Sequence, residues 1–318
     1  MRPSLIFLIP YFGRLPEWIE LFIESCKWNP DIRWRLFTDC PRPENRADNV
    51  EFVATSFDDY KALARERLGL EFDPRDPYKL CDLRPALGEI HEREIAEFDF
   101  FGYGDLDVVY GDLRRFYSDE VLARHDVLST HADRLSGHFA LFRNTPALRR
   151  AYRRYPRFRD ILAAPDYVGM DESLGTLFRP PARRGRGLGR RLRALLARFD
   201  RQRRRSHFVE RHSTVLSPRG WHDGSMRYPA CWLWRDGHLT NDRDGGREFM
   251  YLHFMRWQSR RWMAQPPVEG EGAWLELDRV VRFDWREAAR SGFCVSREGF
   301  TRCADGAEAS CPPTPPTA

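Results

Sequence analysis

Lysine is almost missing from this chain: only Lys27, Lys61 and Lys79 stand among its 52 basic residues, and arginine supplies the rest. Such a bias follows from genome composition alone, and no nucleic-acid recognition motif accompanies it, so no nucleic-acid partner is expected. The formal net charge of +5 is mild and suits polyanionic partners such as phosphates or an acidic membrane surface. Cysteine motifs are missing too. The seven cysteines (26, 40, 81, 231, 294, 303 and 311) are odd in number and contain no C-x-x-C. That argues against a zinc ribbon or a disulfide framework and for free thiols in a reducing compartment. Long apolar runs are also missing. Leu5 to Ile9 is ended by Pro10, which is too short for a signal peptide, and nothing approaches the roughly 18 to 20 apolar residues of a membrane span. These absences predict a cytoplasmic protein. No internal repeat is visible.

What is present is a globular composition. The chain has 318 residues, 42% hydrophobic and 31% charged, enough for one large domain or two modest ones. Aromatics reach 14%. They either line ligand clefts or fill a core, and the core is the commoner use.

Ser4–Ile9 is a short apolar run that suits a strand buried on both faces, as in a parallel sheet. Pro16 stands where a helix can begin, with Trp18, Leu21, Phe22 and Cys26 following at helical spacing. Arg33–Phe37 and Glu51–Ala54 read as strands, and Asp58 as the cap of a helix to Leu68. Tyr78 to His91 reads as one helix with Leu80, Leu83, Leu87 and Ile90 on one face. Phe98–Tyr103 is an aromatic strand, Asp126–Thr130 and Gly137–Phe142 are further strands, and Pro146 opens a helix to about Arg154. The alternation predicts an α/β fold with a mostly parallel sheet flanked by helices. Cys231–Trp234, an Asp236-Gly237 turn and then Phe249–Leu252 read as a hairpin in a C-terminal β-containing extension.

The aromatic strand runs into Gly104-Asp105-Leu106-Asp107. In extended backbone, residues two apart point to one side, so both carboxylates would face one spot at the carboxyl edge of the sheet, where open α/β sheets bind ligands. Gly102 and Gly104 would let a ligand approach the backbone. Two hard oxygen ligands suit Mg²⁺ or Mn²⁺ and leave coordination positions for a diphosphate. D-x-D alone is a weak signal. Apolar and aromatic neighbours on both sides make a solvated acidic face the poorer reading, and a bound cation would offset the cost of burying the pair.

The run Tyr78-Lys79-Leu80-Cys81-Asp82-Leu83-Arg84-Pro85, followed by Phe101-Gly102-Tyr103-Gly104-Asp105-Leu106-Asp107-Val108, resembles the nucleotide-sugar site of GT-A glycosyltransferases. The closest in style are families with an S-D-x-x-R helix before a G-x-Y-x-D-x-D strand, among them a bacterial polysaccharide-associated group. Ile9-Pro10-Tyr11-Phe12-Gly13 is similar to the first strand and turn of that fold. The resemblance covers roughly residues 4–175. It implies a Rossmann-like GT-A domain, a nucleoside-diphosphate sugar donor with a UDP-sugar favoured, and a glycan or lipid-linked acceptor.

It also implies roles for single residues. Asp82 would touch the donor sugar, or else be a helix-surface charge. Lys79 and Arg84 would approach phosphate or sugar, and Arg84 could equally pair with Glu92 or Asp82. Tyr11 and Asp39 end strands at the ligand edge and would contact base or ribose, with turn capping the plainer role for Asp39. Gly137 and His138, in Ser136-Gly137-His138-Phe139, resemble an acceptor-side segment, or a plain turn. Asp171 and Glu172 resemble the carboxylates that act as general base in inverting enzymes or position the donor in retaining ones. Asp171 otherwise reads as an N-cap. His253 would complete the metal site with Asp105 and Asp107, against the plainer reading of a satisfied core histidine. The motif around it departs from the family's, and Arg256, Arg260 or Arg261 would replace its lysine as a phosphate clamp.

Residues 183–205 hold eleven arginines, with Leu188, Leu192, Leu195, Leu196 and Phe199 on one helical stripe. Such a stretch either docks on anionic membrane, here the inner face, or packs its leucines on the domain. The expected division is thus 1–180 as nucleotide-sugar-binding core, 181–210 as arginine-rich insertion, 211–303 as the part completing the site, and 304–318 as a disordered tail. Two other functions fit the same features: a sugar nucleotidyltransferase, although its glycine- and lysine-rich N-terminal loop is missing, and a non-catalytic sugar- or nucleotide-binding module.

Overall fold

The structure, a computed structural model, describes residues 2–179, 200–215, 220–254, 283–296 and 299–303. The stripe at 188–199, Arg256, Arg260, Arg261 and the tail from Ala304 lie outside the described residues.

A seven-stranded sheet organises the chain. Its strands are β1 (Leu5–Pro10), β2 (Ile32–Thr38), β3 (Val50–Ala54), β4 (Phe100–Gly104), β6 (Val127–Ser129), β7 (Phe139–Arg143) and β8 (Ser206–Phe208), in the order β3-β2-β1-β4-β7-β6-β8. All neighbours pair in parallel except β7, which is antiparallel to β4 and β6. The α/β reading with a mostly parallel sheet therefore holds. Alternate residues of β1 feed two cores. Ile6 and Leu8 pack with Tyr60, Leu83, Leu87 and Phe101 on one face, while Leu5, Phe7 and Ile9 pack with Phe22, Trp34 and Phe139 on the other. Burial on both faces is why β1 carries no polar alternation.

The helix Phe57–Leu68 starts one residue before the expected cap. Ser56 is the N-cap, its Oγ accepting from the Asp59 N–H at 3.0 Å, and Gly69 closes the helix at φ 62°. The stretch from 77 to 91 is not one helix. It is a chain of short turns, Pro77–Lys79, Leu80–Leu83, Arg84–Ala86 and Leu87–Ile90, because Pro85 cannot donate within a helix.

The C-terminal part adds two small sheets. β9 (Cys231–Arg235) and β10 (His238–Asn241) form the hairpin around Asp236-Gly237, both at positive φ, and β12 (Phe293–Ser296) and β13 (Gly299–Arg302) extend it. The second hairpin strand is thus His238–Asn241. Tyr251–His253 is a separate strand, β11, antiparallel to β5 (Val108–Tyr110). The aromatics mostly fill cores here, with Trp34, Trp232 and Trp234 fully buried. Residues 206–208 pair with β6 at the edge of the main sheet. Arg205 at their head is spent on Asp126 at 2.7 Å. Cys26, Cys40, Cys81, Cys294 and Cys303 are free thiols, but Cys231 is disulfide-bonded, which corrects the reading of every cysteine as free; an odd count does not forbid one pair. No helix among the described residues is long and apolar enough to cross a membrane.

Candidate active site

The strand order reverses between the parallel neighbours β1 and β4: it runs outward from β1 through β2 to β3 on one side and to β4 on the other. The carboxyl ends of these parallel strands deliver Tyr11, Asp39 and Asp105 to one edge, at the switch point where open α/β sheets bind ligands.

Asp105 and Asp107 sit in the bend between β4 and β5, not on extended strand. Trp18 Nε1 donates to the Leu106 carbonyl at 2.9 Å and Asp105 N to the His138 carbonyl at 3.1 Å, which pins the bend from both sides. β11 completes the cluster. Its register pairs His253 with Val108, and Phe254 N donates to the Asp107 carbonyl at 3.1 Å. His253 Nε2 then lies 3.4 Å from Asp107 Oδ1 and 3.9 Å from Asp105 Oδ2. One ligand atom from each of the three residues falls within 4.8 Å of the others. Two carboxylates and one imidazole are a fitting donor set for a divalent cation of the Mn²⁺ or Mg²⁺ kind. Burial pushes the Asp105 carboxyl above its usual range, Arg84 opposes that push, Asp107 adds to it and His253 opposes it. A cation would relieve the same cost.

Arg84 lies behind this cluster. Its Nη2 pairs with Asp105, and its Nη1 donates to the Gly137 carbonyl at 2.6 Å and to Asp171 Oδ2 at 3.2 Å. Neither partner expected from the sequence is used. Glu92 is held by Arg149 and Arg150, and Asp82 is occupied elsewhere. Asp171 is buried inside the short helix Met170–Ser173, whose N-cap is Gly169 at φ 98°, so Asp171 is not the cap. It accepts from the Tyr167 hydroxyl at 2.9 Å, and burial raises its carboxyl to about 6 against the pull of Arg84 and Tyr167. Glu172 points outward, half exposed, 3.6 Å from Arg134. Gly137 presses on both: a methyl there would stand 3.1 Å from Asp171 Oδ2 and 3.5 Å from Glu172 Cγ.

Other expected residues are turned inward. Lys79 and Asp82 are buried against each other at 2.9 Å. Lys79 Nζ also donates to the carbonyls of Ile161 and Asp166, while Asp82 accepts the N–H groups of Val168, Gly169 and Met170 at 2.6 to 2.8 Å. In this structure the hydrogen-bonding capacity of both is used to clamp the loop before Asp171. His138 is buried as well. It stacks on His253 with ring centroids 3.9 Å apart, and its Nε2 is 2.7 Å from the Tyr251 hydroxyl, which donates to Thr130 Oγ1 at 2.6 Å. Burial, then the neighbouring His253 and His131, hold its pKa well below the usual value, so it supports the His253 ring as a neutral imidazole. Asp39 accepts from Gly13 N at 2.9 Å, the turn role, and the Tyr11 hydroxyl donates to the Arg14 carbonyl at 2.9 Å. Gly102 and Gly104 are packed against neighbouring protein. A methyl at Gly102 would collide with the Ala140 carbonyl and the Phe7 ring, and one at Gly104 would stand 3.2 Å from the Tyr110 hydroxyl. Packing against neighbouring protein requires the glycine at 102 and leaves little room for a side chain at 104.

Solved structures with some likeness include mouse xyloside xylosyltransferase 1 in its apo form, at 9% identity over 70% of this chain and 89% of that one, with a TM-score of 0.33. Another is galactosyltransferase LgtC in complex with donor and acceptor sugar analogues, at 14% identity over 70% and 90%, with a TM-score of 0.32. Likeness at that level decides neither activity nor substrate. No curated protein matches the sequence significantly. The model of a family of unknown function, DUF6625, matches residues 7–271, a span that takes in Arg84, Asp105, Asp107, Asp171 and His253, and the chain belongs to that family.

Proposed function

We propose that this protein is a metal-dependent glycosyltransferase that moves a sugar from a nucleoside-diphosphate sugar to a hydroxyl acceptor in glycan or surface-polysaccharide synthesis. The observation that carries the reading is the convergence of Asp105, Asp107 and His253 within 4.8 Å at the switch point of the sheet, with Arg84 joining that cluster to Asp171.

In this reading Asp105, Asp107 and His253 hold Mn²⁺ or Mg²⁺, which when bound supplies charge stabilisation for the departing diphosphate. Arg84 holds Asp105 in place for that task and keeps Asp171 oriented beside it. Asp171, with its carboxyl raised to about 6, is suited to take the proton of an attacking hydroxyl near neutral pH, and Glu172 is the alternative base. Tyr11 and Asp39 shape the turn over which a nucleotide would lie. UDP is the favoured nucleotide. Docking of residues 183–205 on anionic lipid remains part of the proposal, with partition to anionic but not neutral liposomes as its test.

The deciding experiment is thermal-shift binding of UDP and other nucleoside diphosphates with and without Mn²⁺, followed by a turnover assay with their sugars. A shift that needs both Mn²⁺ and the two aspartates supports the donor site. No shift with any nucleotide sinks it. Binding without turnover would make the chain a non-catalytic module.

A further inference from the structure

Among the described residues the exposed large hydrophobic side chains are Trp28, Tyr78, Val168 and Met226. Two of these, Tyr78 at 57% and Val168 at 56% exposure, are carried by the segments that flank Asp171. Burial of either would be favourable by ordinary area arguments, and the apolar face of a ligand laid on them beside the candidate base would supply it.

Both are held outward by rigid local structure. Asp76 caps the turn Pro77–Lys79, accepting the Tyr78 N–H at 2.8 Å. The next residue, Lys79, is pinned into the interior by Asp82 and two carbonyls, which forces Tyr78 to the outside. The same Asp82 accepts the N–H of Val168. Tyr167 joins the two: its ring meets that of Tyr78 edge-on, centroids 5.1 Å apart and planes at 70°, and its hydroxyl donates to Asp171. One buried ion pair therefore sets the position of an open aromatic surface attached by a hydrogen bond to the candidate base. The edge-on contact with Tyr167, whose hydroxyl is held by Asp171, puts the Tyr78 ring beside the site and not on a remote face.

We propose that Tyr78, Tyr167 and Val168 form the platform on which the pyranose ring of a saccharide acceptor stacks, presenting its hydroxyl to Asp171; this rests on the sugar-transfer reading above. A pyranose has an apolar face of C–H groups that suits an aromatic ring, and hydroxyls at its rim that suit the phenols and carboxylates beside it.

The test is saturation-transfer-difference NMR on the full chain with Mn²⁺, using methyl β-D-glucopyranoside, methyl β-D-galactopyranoside and methyl α-D-mannopyranoside as probes. At least one probe should receive saturation at its ring C–H protons in the wild type. Tyr78→Ala should weaken that binding roughly three- to tenfold, and Tyr78→Phe should retain it. Absence of signal from all three probes, or equal binding by Tyr78→Ala, overturns the platform. In parallel, the Mn²⁺-dependent melting shift with UDP should be the same in Tyr78→Ala and wild type. If UDP binding falls while glycoside binding persists, the aromatic surface belongs to the nucleotide and the proposal fails. If the glycoside binds through Tyr78 but no nucleotide binds, the platform stands and the transferase reading fails.

Discussion

Arg84 Nη1 lies 3.2 Å from Asp171 Oδ2 while the other arm of the same guanidinium pairs with Asp105. One side chain thereby couples the candidate base to a candidate metal ligand. Removing it as Arg84→Ala leaves one buried and one partly buried carboxylate without their shared cation, and stability should fall by about 3 kcal/mol. Arg84→Lys should recover only part of this, because an ammonium cannot fork between two acceptors. Urea unfolding of the two variants checks it, and an alanine variant as stable as wild type would remove the coupling from the account.

Metal dependence should be carried by three residues and not two. At a UDP concentration about a hundredfold above Kd, binding stabilises the wild type by about 2.7 kcal/mol, and EDTA should abolish that gain. Asp105→Asn, Asp107→Asn and His253→Ala should each lose it, since each supplies one of the ligand atoms within 4.8 Å. A His253→Ala variant with an unchanged Mn²⁺-dependent shift would reduce the site to the aspartates.

The pH profile should identify the base. Burial raises the Asp171 carboxyl to about 6, and a base must be ionised, so the rate should fall about tenfold per unit below that pH. Stability moves the other way. The folded state binds this proton more tightly than the unfolded chain, whose group titrates near 3.8, so between 3.8 and about 6 this group's contribution to stability declines as pH rises. Loss of rate on acidification is then not unfolding through this group. Asp171→Asn should abolish the acid limb together with most of the activity. If Glu172→Gln does so instead, Glu172 is the base.

The sequence was most legible where burial is simple. β1 reads directly because a strand covered on both faces has to be apolar, and the Asp236-Gly237 turn reads because both positions need positive φ. It was least legible where tertiary contacts override local pattern. The leucine spacing from Leu80 to Ile90 reads as one helix, yet Pro85 divides it into turns. Lys79 and Asp82 carry charge in a motif that resembles a ligand site, and no local signal tells that both are driven inward by the loop at 166–170. Arg84 offered Asp82 or Glu92 as sequence neighbours, but its partners come from the bend after β4, from Gly137 and from the segment beyond residue 165, which only the fold brings near. The Tyr78–Tyr167 pair was missed for the same reason: neither tyrosine lies in a pattern that distinguishes an exposed ring from a packed one.

The Lys79–Asp82 pair should show an asymmetry between its two halves. Asp82 serves Lys79 and also three backbone N–H groups of the loop leading to Asp171. Asp82→Ala would leave three backbone N–H groups without their acceptor and the buried Lys79 ammonium with only the Ile161 and Asp166 carbonyls, at a cost of about 3 to 5 kcal/mol. Lys79→Met removes the cation but leaves the carboxylate with its three backbone donors, and a methionine fills most of the space, so the loss should be smaller. The loop should report the same order. Asp82→Ala should open residues 166–170 to amide hydrogen exchange well below the melting temperature, whereas Lys79→Met should leave them largely protected. Equal exchange in the two variants would mean that the ion pair, and not the carboxylate's hold on the backbone, fixes the loop that carries Tyr167, Val168 and Asp171.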